Sequence, residues 1–162
     1  MNTIFRRAAV EFAIQHHGID YFDTHLIHVA NIALAYWDET ELKSKYTKDQ
    51  VFAIAVLHDT IEDTDATKET IHNLFGFIVA DAVYRVSDEE GANRKERKAK
   101  TYPKIRFRSL SVFIKLCDRL HNIKRHGKLS MYRKEHESFK AALYIKGEFD
   151  SLWDEIEKLL GV

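Results

Sequence analysis

A single proline, Pro103, and six glycines in 162 residues leave this chain almost without the punctuation that strands and tight turns require. Its apolar residues recur instead at helical spacing. Ile4, Ala8, Phe12 and Ala13 form one such face, ending near Gly18. Ile27, Ala30, Ile32 and Ala35 form a second, with Asp23 or Thr24 as its cap. Thr47 and Gln50 read as a capping box that opens a helix through Val51, Ile54 and Leu57. Thr67 to Phe75 and Phe77 to Val86 read as two helices broken at Gly76, followed by a loop over 87–93. A basic helix starts near Asn93 and is expected to end before Pro103, because proline removes a helical hydrogen bond. Leu110 to Ile123 is the most apolar late segment, and two helices over 129–145 and 148–160 close the chain. The expectation is an all-α fold of seven to nine helices in one domain over residues 1–162.

Charge and cysteine narrow the function classes. Lys plus Arg and Asp plus Glu number 25 each, so the formal net charge is zero. Nucleic-acid coats draw their affinity from excess cations, and the balance here argues against that class. The one cysteine, Cys117, allows no internal disulfide and fits a reducing compartment. Met1 to Arg7 lacks a signal-peptide core, and no window approaches the roughly 20 apolar residues of a membrane span, so a cytoplasmic protein is expected. Oligomeric state is not legible. Trp37, Trp153, Phe139, Tyr144, Phe149 and Leu152 read as packing residues, and Cys117 as core.

The chemistry concentrates in Leu57-His58-Asp59-Thr60-Ile61-Glu62-Asp63-Thr64. His58 and Asp59 come after five apolar residues, and Glu62 and Asp63 come four residues later, so four polar groups crowd the end of a buried helix. Carboxylates that close repel one another unless protonated or bound to a cation. His25 opens the apolar helix Leu26 to Ala35, with His28 one turn further. Asp118 lies in Lys115-Leu116-Cys117-Asp118-Arg119-Leu120-His121-Asn122, where a buried carboxylate needs a partner, either Arg119 or a metal. Together His25, His58, Asp59 and Asp118 offer two imidazoles and two carboxylates, a donor set suited to manganese, iron or zinc rather than calcium. Glu62 and Asp63 are then free to orient or deprotonate a water. Residues 94–108 carry eight cations against one acid, Glu96, and read either as a solvated face or as a rim that attracts a polyphosphate.

These strings resemble the HD superfamily, and more finely the hydrolase domain of RelA/SpoT proteins and the small alarmone hydrolases. The resemblance rests on His25-Leu26-Ile27-His28-Val29-Ala30, on His58-Asp59-Thr60-Ile61-Glu62-Asp63-Thr64 and on the Lys115–Asn122 string, and runs from about residue 8 to about residue 125. Val86-Ser87-Asp88 and Glu96-Arg97-Lys98 add to it. It implies a single HD-domain helical fold and a manganese-dependent enzyme, with other divalent transition metals as alternatives, that removes the 3′-pyrophosphate from ppGpp and pppGpp. It implies that His25, His58, Asp59 and Asp118 hold the metal, that Glu62 and Asp63 activate water, and that Asn122 lies beside the ribose. Tyr21, Lys124 and Arg97 are further candidate substrate contacts. The sequence departs from the family pattern in three places. The stretch from His16 to Thr24 holds no Arg or Lys, where the family stacks a cation on guanine. Leu26 replaces a proline. Lys124 and Arg125 stand where arginine and threonine are usual. The alternative reading is an HD-type phosphohydrolase acting on another nucleotide, a nucleoside monophosphate or a different pyrophosphorylated species; a nucleotide sensor without chemistry is a third.

Overall fold

The computed structural model describes residues 2–162, with His126 described by its backbone alone. No strand occurs among the described residues. Helix α1 (Thr3–His17) is capped by Asn2, whose side chain accepts from the Phe5 amide. A short turn, α2 (Ile19–Tyr21), runs into a π-helical turn over Phe22–Leu26 and on into α3 (Ile27–Tyr36). Two 3-10 turns, Trp37–Glu39 and Glu41–Ser44, lead to α4 (Lys48–Leu57). Next come α5 (Thr60–Asp63), α6 (Lys68–Val86), α7 (Arg94–Arg106), α8 (Ser109–His126), α9 (Leu129–Leu143) and α10 (Asp150–Leu160).

Helix α4 is the axis of the packing. The Thr47 hydroxyl accepts from the Gln50 amide and the Gln50 side chain accepts from the Thr47 amide, so the capping box forms as the sequence predicts. Every residue from Val51 to Leu57 is buried, because α1, α3 and α6 surround this helix. Helix α8 plays the same part on the other side, with Leu110, Val112, Phe113, Ile114, Leu116, Cys117 and Leu120 fully enclosed between α3, α6, α7 and α10. Both helices carry metal-site candidates at the ends of apolar runs, so the core itself aims those side chains. Trp153 is buried with its ring against Phe139 and Tyr144, and Trp37 is buried as well. No helix of the described residues is long and apolar enough to cross a membrane.

Three local expectations need correction. The inner face of α1 is Ala9, Phe12 and Ala13 with half-buried Phe5, while Ile4 is 82% exposed and Ala8 is exposed too. Phe5 and Phe12 both meet the edge of Phe75, and those contacts rotate the face by one residue. Neither Asp23 nor Thr24 caps α3, since the chain is already helical there and Thr24 Oγ1 donates back to the Asp20 carbonyl. Helix α7 runs through Pro103 to Arg106. Proline's fixed φ is compatible with a helix, and buried Thr101 and Ile105 on either side hold this one against the core despite the missing N–H.

Gly76 does interrupt α6, with φ 83° and ψ 171°. That region of backbone space is open in practice to glycine alone. A Cβ built there meets nothing within 4 Å, so steric clash is not the constraint. Gly76→Ala is therefore expected to cost backbone strain only, about 1–3 kcal/mol. Thermal denaturation should register this as a fall of roughly 2–4 °C per kcal/mol; an unchanged midpoint would show that the kink is not required.

Candidate metal centre and its cavity

Three elements converge on one buried point. The π-helical turn carries His25, the end of α4 carries His58 with Asp59, and the middle of α8 carries Asp118. His25, His58 and Asp118 are each no more than 6% exposed. The two Nε2 atoms lie 3.2 Å apart. An Asp59 oxygen lies 3.3 Å from His25 and another 3.1 Å from His58, and Asp118 Oδ1 lies 3.5 and 3.6 Å from the same two nitrogens. Donors bound to one ion at about 2.0–2.2 Å stand roughly 3–3.5 Å from each other, so this spacing fits a divalent metal. One donor atom each from His25, His58 and Asp118 falls within 4.8 Å of the others.

The surroundings prepare these atoms. His58 Nδ1 lies 2.7 Å from the Ala55 carbonyl, where it donates and leaves Nε2 turned to the centre. The Tyr21 hydroxyl donates to Asp59 Oδ2 at 2.6 Å, and Asn122 Nδ2 donates to Asp118 Oδ1 at 2.6 Å. Asp118 is satisfied on its other oxygen by Lys115, at 2.8 Å, and not by Arg119. Arg119 lies over the rings of Phe139 and Tyr132 and donates to the Tyr132 carbonyl.

The electrostatics follow from this packing. Burial works against a charged His58, but the carboxylates of Asp59 and Asp118 outweigh it and push the ring up to about 10 in the ion-free protein. Burial works against the Asp118 charge as well, yet Lys115 and His58 hold it far below the usual carboxylate range. Asp59 lies well below that range through His58 and His25, again against burial. Glu62 and Asp63 go the other way. Both stay open to solvent at the cavity mouth, but crowding by protein raises each above the ordinary range, and the charge of Asp59 adds to the rise. The Asp88 amide donates to Glu62 Oε2 at 2.9 Å, and Lys98 grips the Asp88 carboxylate, so a second layer fixes Glu62.

These groups open into a cavity of about 350 Å³. Of the candidates from the sequence, Tyr21, His25, Asp59, Glu62, Asp63, Asp118 and Asn122 line it. Two do not. Lys124 pairs with Glu155 at 3.0 Å and lines a separate cleft between α3 and α8. Arg97 sits on the wrong side of α7; Arg94 and Lys98, three residues before and one after, reach the cavity in its place. Within the basic segment, Lys104 and Arg108 are engaged by Glu89 and Asp81 and serve packing, so rim and structural face divide the segment between them. The sequence reading also missed Lys115, Asp88, Arg119 and Tyr132 in this wall. Lys115 was within reach, since it precedes Asp118 by three residues and so shares its face of α8. Tyr132 comes from α9 and leaves no such local trace. His28 is exposed and meets the centre only through His121, whose ring lies between those of His28 and His25. Burial, then the neighbouring His25, pushes His121 down to about 4.

Metal retention should depend on these side chains. His58→Ala and Asp118→Ala are expected to abolish stoichiometric binding of a divalent transition metal, and chelation should lower the melting temperature of the parent protein by linkage. Because His58 carries a proton below about pH 10 in the ion-free state, an incoming cation must expel it. Apparent affinity should rise with pH, by up to about tenfold per unit for one released proton. Calorimetry in buffers of different ionisation enthalpy checks this, and zero proton release would contradict the assignment.

No family model matches the chain. Individual proteins do. A guanosine-3′,5′-bis(diphosphate) 3′-pyrophosphohydrolase of Aquifex aeolicus is 34% identical over 123 residues, covering 72% of this chain and 17% of that protein. The GTP pyrophosphokinase rsh of Brucella ovis is 30% identical over 140 residues, covering 78% and 18%. The Drosophila melanogaster protein MESH1, a guanosine-3′,5′-bis(diphosphate) 3′-pyrophosphohydrolase, is 33% identical over 101 residues, covering 62% and 52%. The chain thus spans less than a fifth of the two longer relatives and about half of the shorter one. Among solved structures, a metazoan orthologue of SpoT that hydrolyses ppGpp superposes with a TM-score of 0.76 at 22% identity, over 99% of this chain and 96% of that one. A Listeria monocytogenes protein gives 0.63 at 20%, over 85% and 94%. With its two histidines and aspartate gathered at one buried point, on the helical fold that these proteins share, the chain is an HD-domain-like homologue of the RelA/SpoT and MESH1-type hydrolases.

Proposed function

We propose that this chain is a metal-dependent phosphohydrolase that removes the 3′-pyrophosphate from the guanosine alarmones ppGpp and pppGpp. The observation that carries the reading is the meeting of the His25–His58–Asp118 donor set, through His25 and Asp118, with the Glu62–Asp63 pair at one cavity that cations also line. His25, His58, Asp59 and Asp118 are assigned as ligands of a divalent ion, manganese by the resemblance. Such an ion, when bound, polarises a phosphoryl oxygen and acidifies its water. Everything else falls to the protein. Glu62, held by the Asp88 amide, and Asp63 accept the proton of the attacking water, and their raised proton affinity suits that task. Lys115, Lys98 and Arg94 line the path that the phosphates would occupy. Asn122, tied to Asp118, faces the ribose.

The test is a release assay. The manganese-loaded protein is offered ppGpp, pppGpp, the adenosine analogue and a panel of nucleoside mono-, di- and triphosphates, with pyrophosphate and orthophosphate scored separately. Pyrophosphate from the first two is expected; orthophosphate from monophosphates alone would favour the second reading, an HD phosphohydrolase for another nucleotide. One observation does favour breadth in the base. Residues 16–24 present rings and no cation, and Tyr21, the ring nearest the site, has its hydroxyl engaged by Asp59 and its face on His17. A ring reads flatness rather than the guanine edge. The guanine and adenine substrates are therefore expected to differ in kcat/KM by less than about 100-fold, roughly 2.7 kcal/mol.

Ligation and proton transfer separate by mutation. Glu62→Gln and Asp63→Asn are expected to keep the metal while turnover falls by roughly 100-fold or more. Loss of metal along with activity would move these carboxylates into the ligand set.

A further inference from the structure

Five cations line the metal cavity: Arg94, Lys98, Lys115, Arg119 and Arg125. Four have a carboxylate at hand. Arg94 lies 2.6 Å from Glu135, Lys98 lies 2.7 Å from Asp88, Lys115 lies 2.8 Å from Asp118, and Arg119 lies 3.9 Å from Glu135. Arg125 has no carboxylate partner among the described residues. Its Nη1 donates to the backbone carbonyl of Thr24 at 2.5 Å. A neutral acceptor orients the guanidinium without cancelling its charge. The remaining donors of that planar fork are of the kind that bind phosphate in pairs.

Its place on α8 defines what it can reach. Asp118, Asn122 and Arg125 stand at i, i+4 and i+7, one stripe along the helix. Seven residues advance the axis by about 10 Å and return to nearly the same face. Arg125 therefore lies two turns beyond the metal end, on the side where the cavity meets the α3–α8 cleft, whose wall it also forms. In a nucleotide phosphorylated on both ends of its ribose, the 3′ and 5′ phosphorus atoms are six bonds apart. At about 1.5 Å a bond they lie at most roughly 8 Å from each other. A 3′-pyrophosphate at the His25–His58–Asp118 end thus brings the 5′-phosphate within reach of a long side chain at position 125.

We propose that Arg125 determines specificity by binding the 5′-phosphate group of the substrate, so that nucleotides phosphorylated at both ends are preferred over 3′-pyrophosphates with a free 5′-hydroxyl. This rests on the nucleotide reading given above. It is not a consequence of the family pattern, in which a neutral threonine is usual at this position.

The experiment is a cycle between one side chain and one phosphate. The parent protein, Arg125→Ala and Arg125→Lys, all loaded with manganese, are assayed on ppGpp and on guanosine 3′-diphosphate, with metal content measured for each. Arg125→Ala is expected to lower kcat/KM on ppGpp at least about tenfold more than on the 5′-hydroxyl substrate, chiefly through KM, and Arg125→Lys to recover part of the difference. Equal losses on both substrates would overturn the proposal and make Arg125 a strut that positions Thr24 and His25; falling metal content would accompany that outcome. If the parent protein turns over neither nucleotide, the hydrolase reading fails by itself. Calorimetric binding of the same two nucleotides then decides on Arg125: a 5′-phosphate advantage that disappears in Arg125→Ala sustains it, and the absence of such an advantage or of any binding ends it.

Discussion

The structure turns on the enclosure of two carboxylates, Asp59 just past the end of α4 and Asp118 in the middle of α8, against the two most enclosed helices. An ionised carboxylate out of water is costly unless it is paired. Here each is paired several times over, by His25 and His58 from one side and by Lys115, Asn122 and Tyr21 from the other. Removing Lys115 takes away a full counter-charge, and removing Tyr21 or Asn122 leaves a carboxylate oxygen short of a donor. The arrangement of α3, α4 and α8 is therefore bound to the arrangement of charge at their meeting point.

The same logic explains how protons are distributed. The groups nearest the buried point keep their charge, with Asp59 and Asp118 anionic and Lys115 and His58 cationic in the absence of an ion. Glu62 and Asp63 stand one step out, where protein crowds them without supplying a full counter-charge, and their affinity for a proton rises. Acids only a few residues apart thus acquire opposite characters from their surroundings. Such a split between neighbouring acids is the pattern expected where one set holds an ion and the other handles protons.

Much of this was legible in the sequence because the informative residues are local. His58-Asp59 after five apolar residues announces a buried polar pair, and Thr47 with Gln50 fixes where that helix begins. Gly76 is read correctly because a break in helical periodicity coincides with the one residue that tolerates the required backbone. The features that the sequence hid depend on helix rotation and on partners distant in the chain. Arg97 and Lys98 are neighbours, and only the turn of α7 about its axis decides which one reaches the cavity. Lys124 is claimed by Glu155 from α10, and Arg119 by rings from α9, contacts that no local pattern records. Pro103 misled because a propensity rule yields to the burial of Thr101 and Ile105 on either side of it.

The π-helical turn at Phe22–Leu26 sets the angular position of His25 on the rod formed by α2 and α3. Each residue of an α-helix advances the direction of its side chain by about 100°. A wide turn of this kind lodges an additional residue without unwinding the helix beyond it. Deleting one residue between Gly18 and His25 would therefore swing the imidazole about a quarter-circle away from His58, or else twist the whole of α3 against α4 and α8. A substitution in this stretch that spares Tyr21 leaves the direction of His25 unchanged, but a change of its length by one does not.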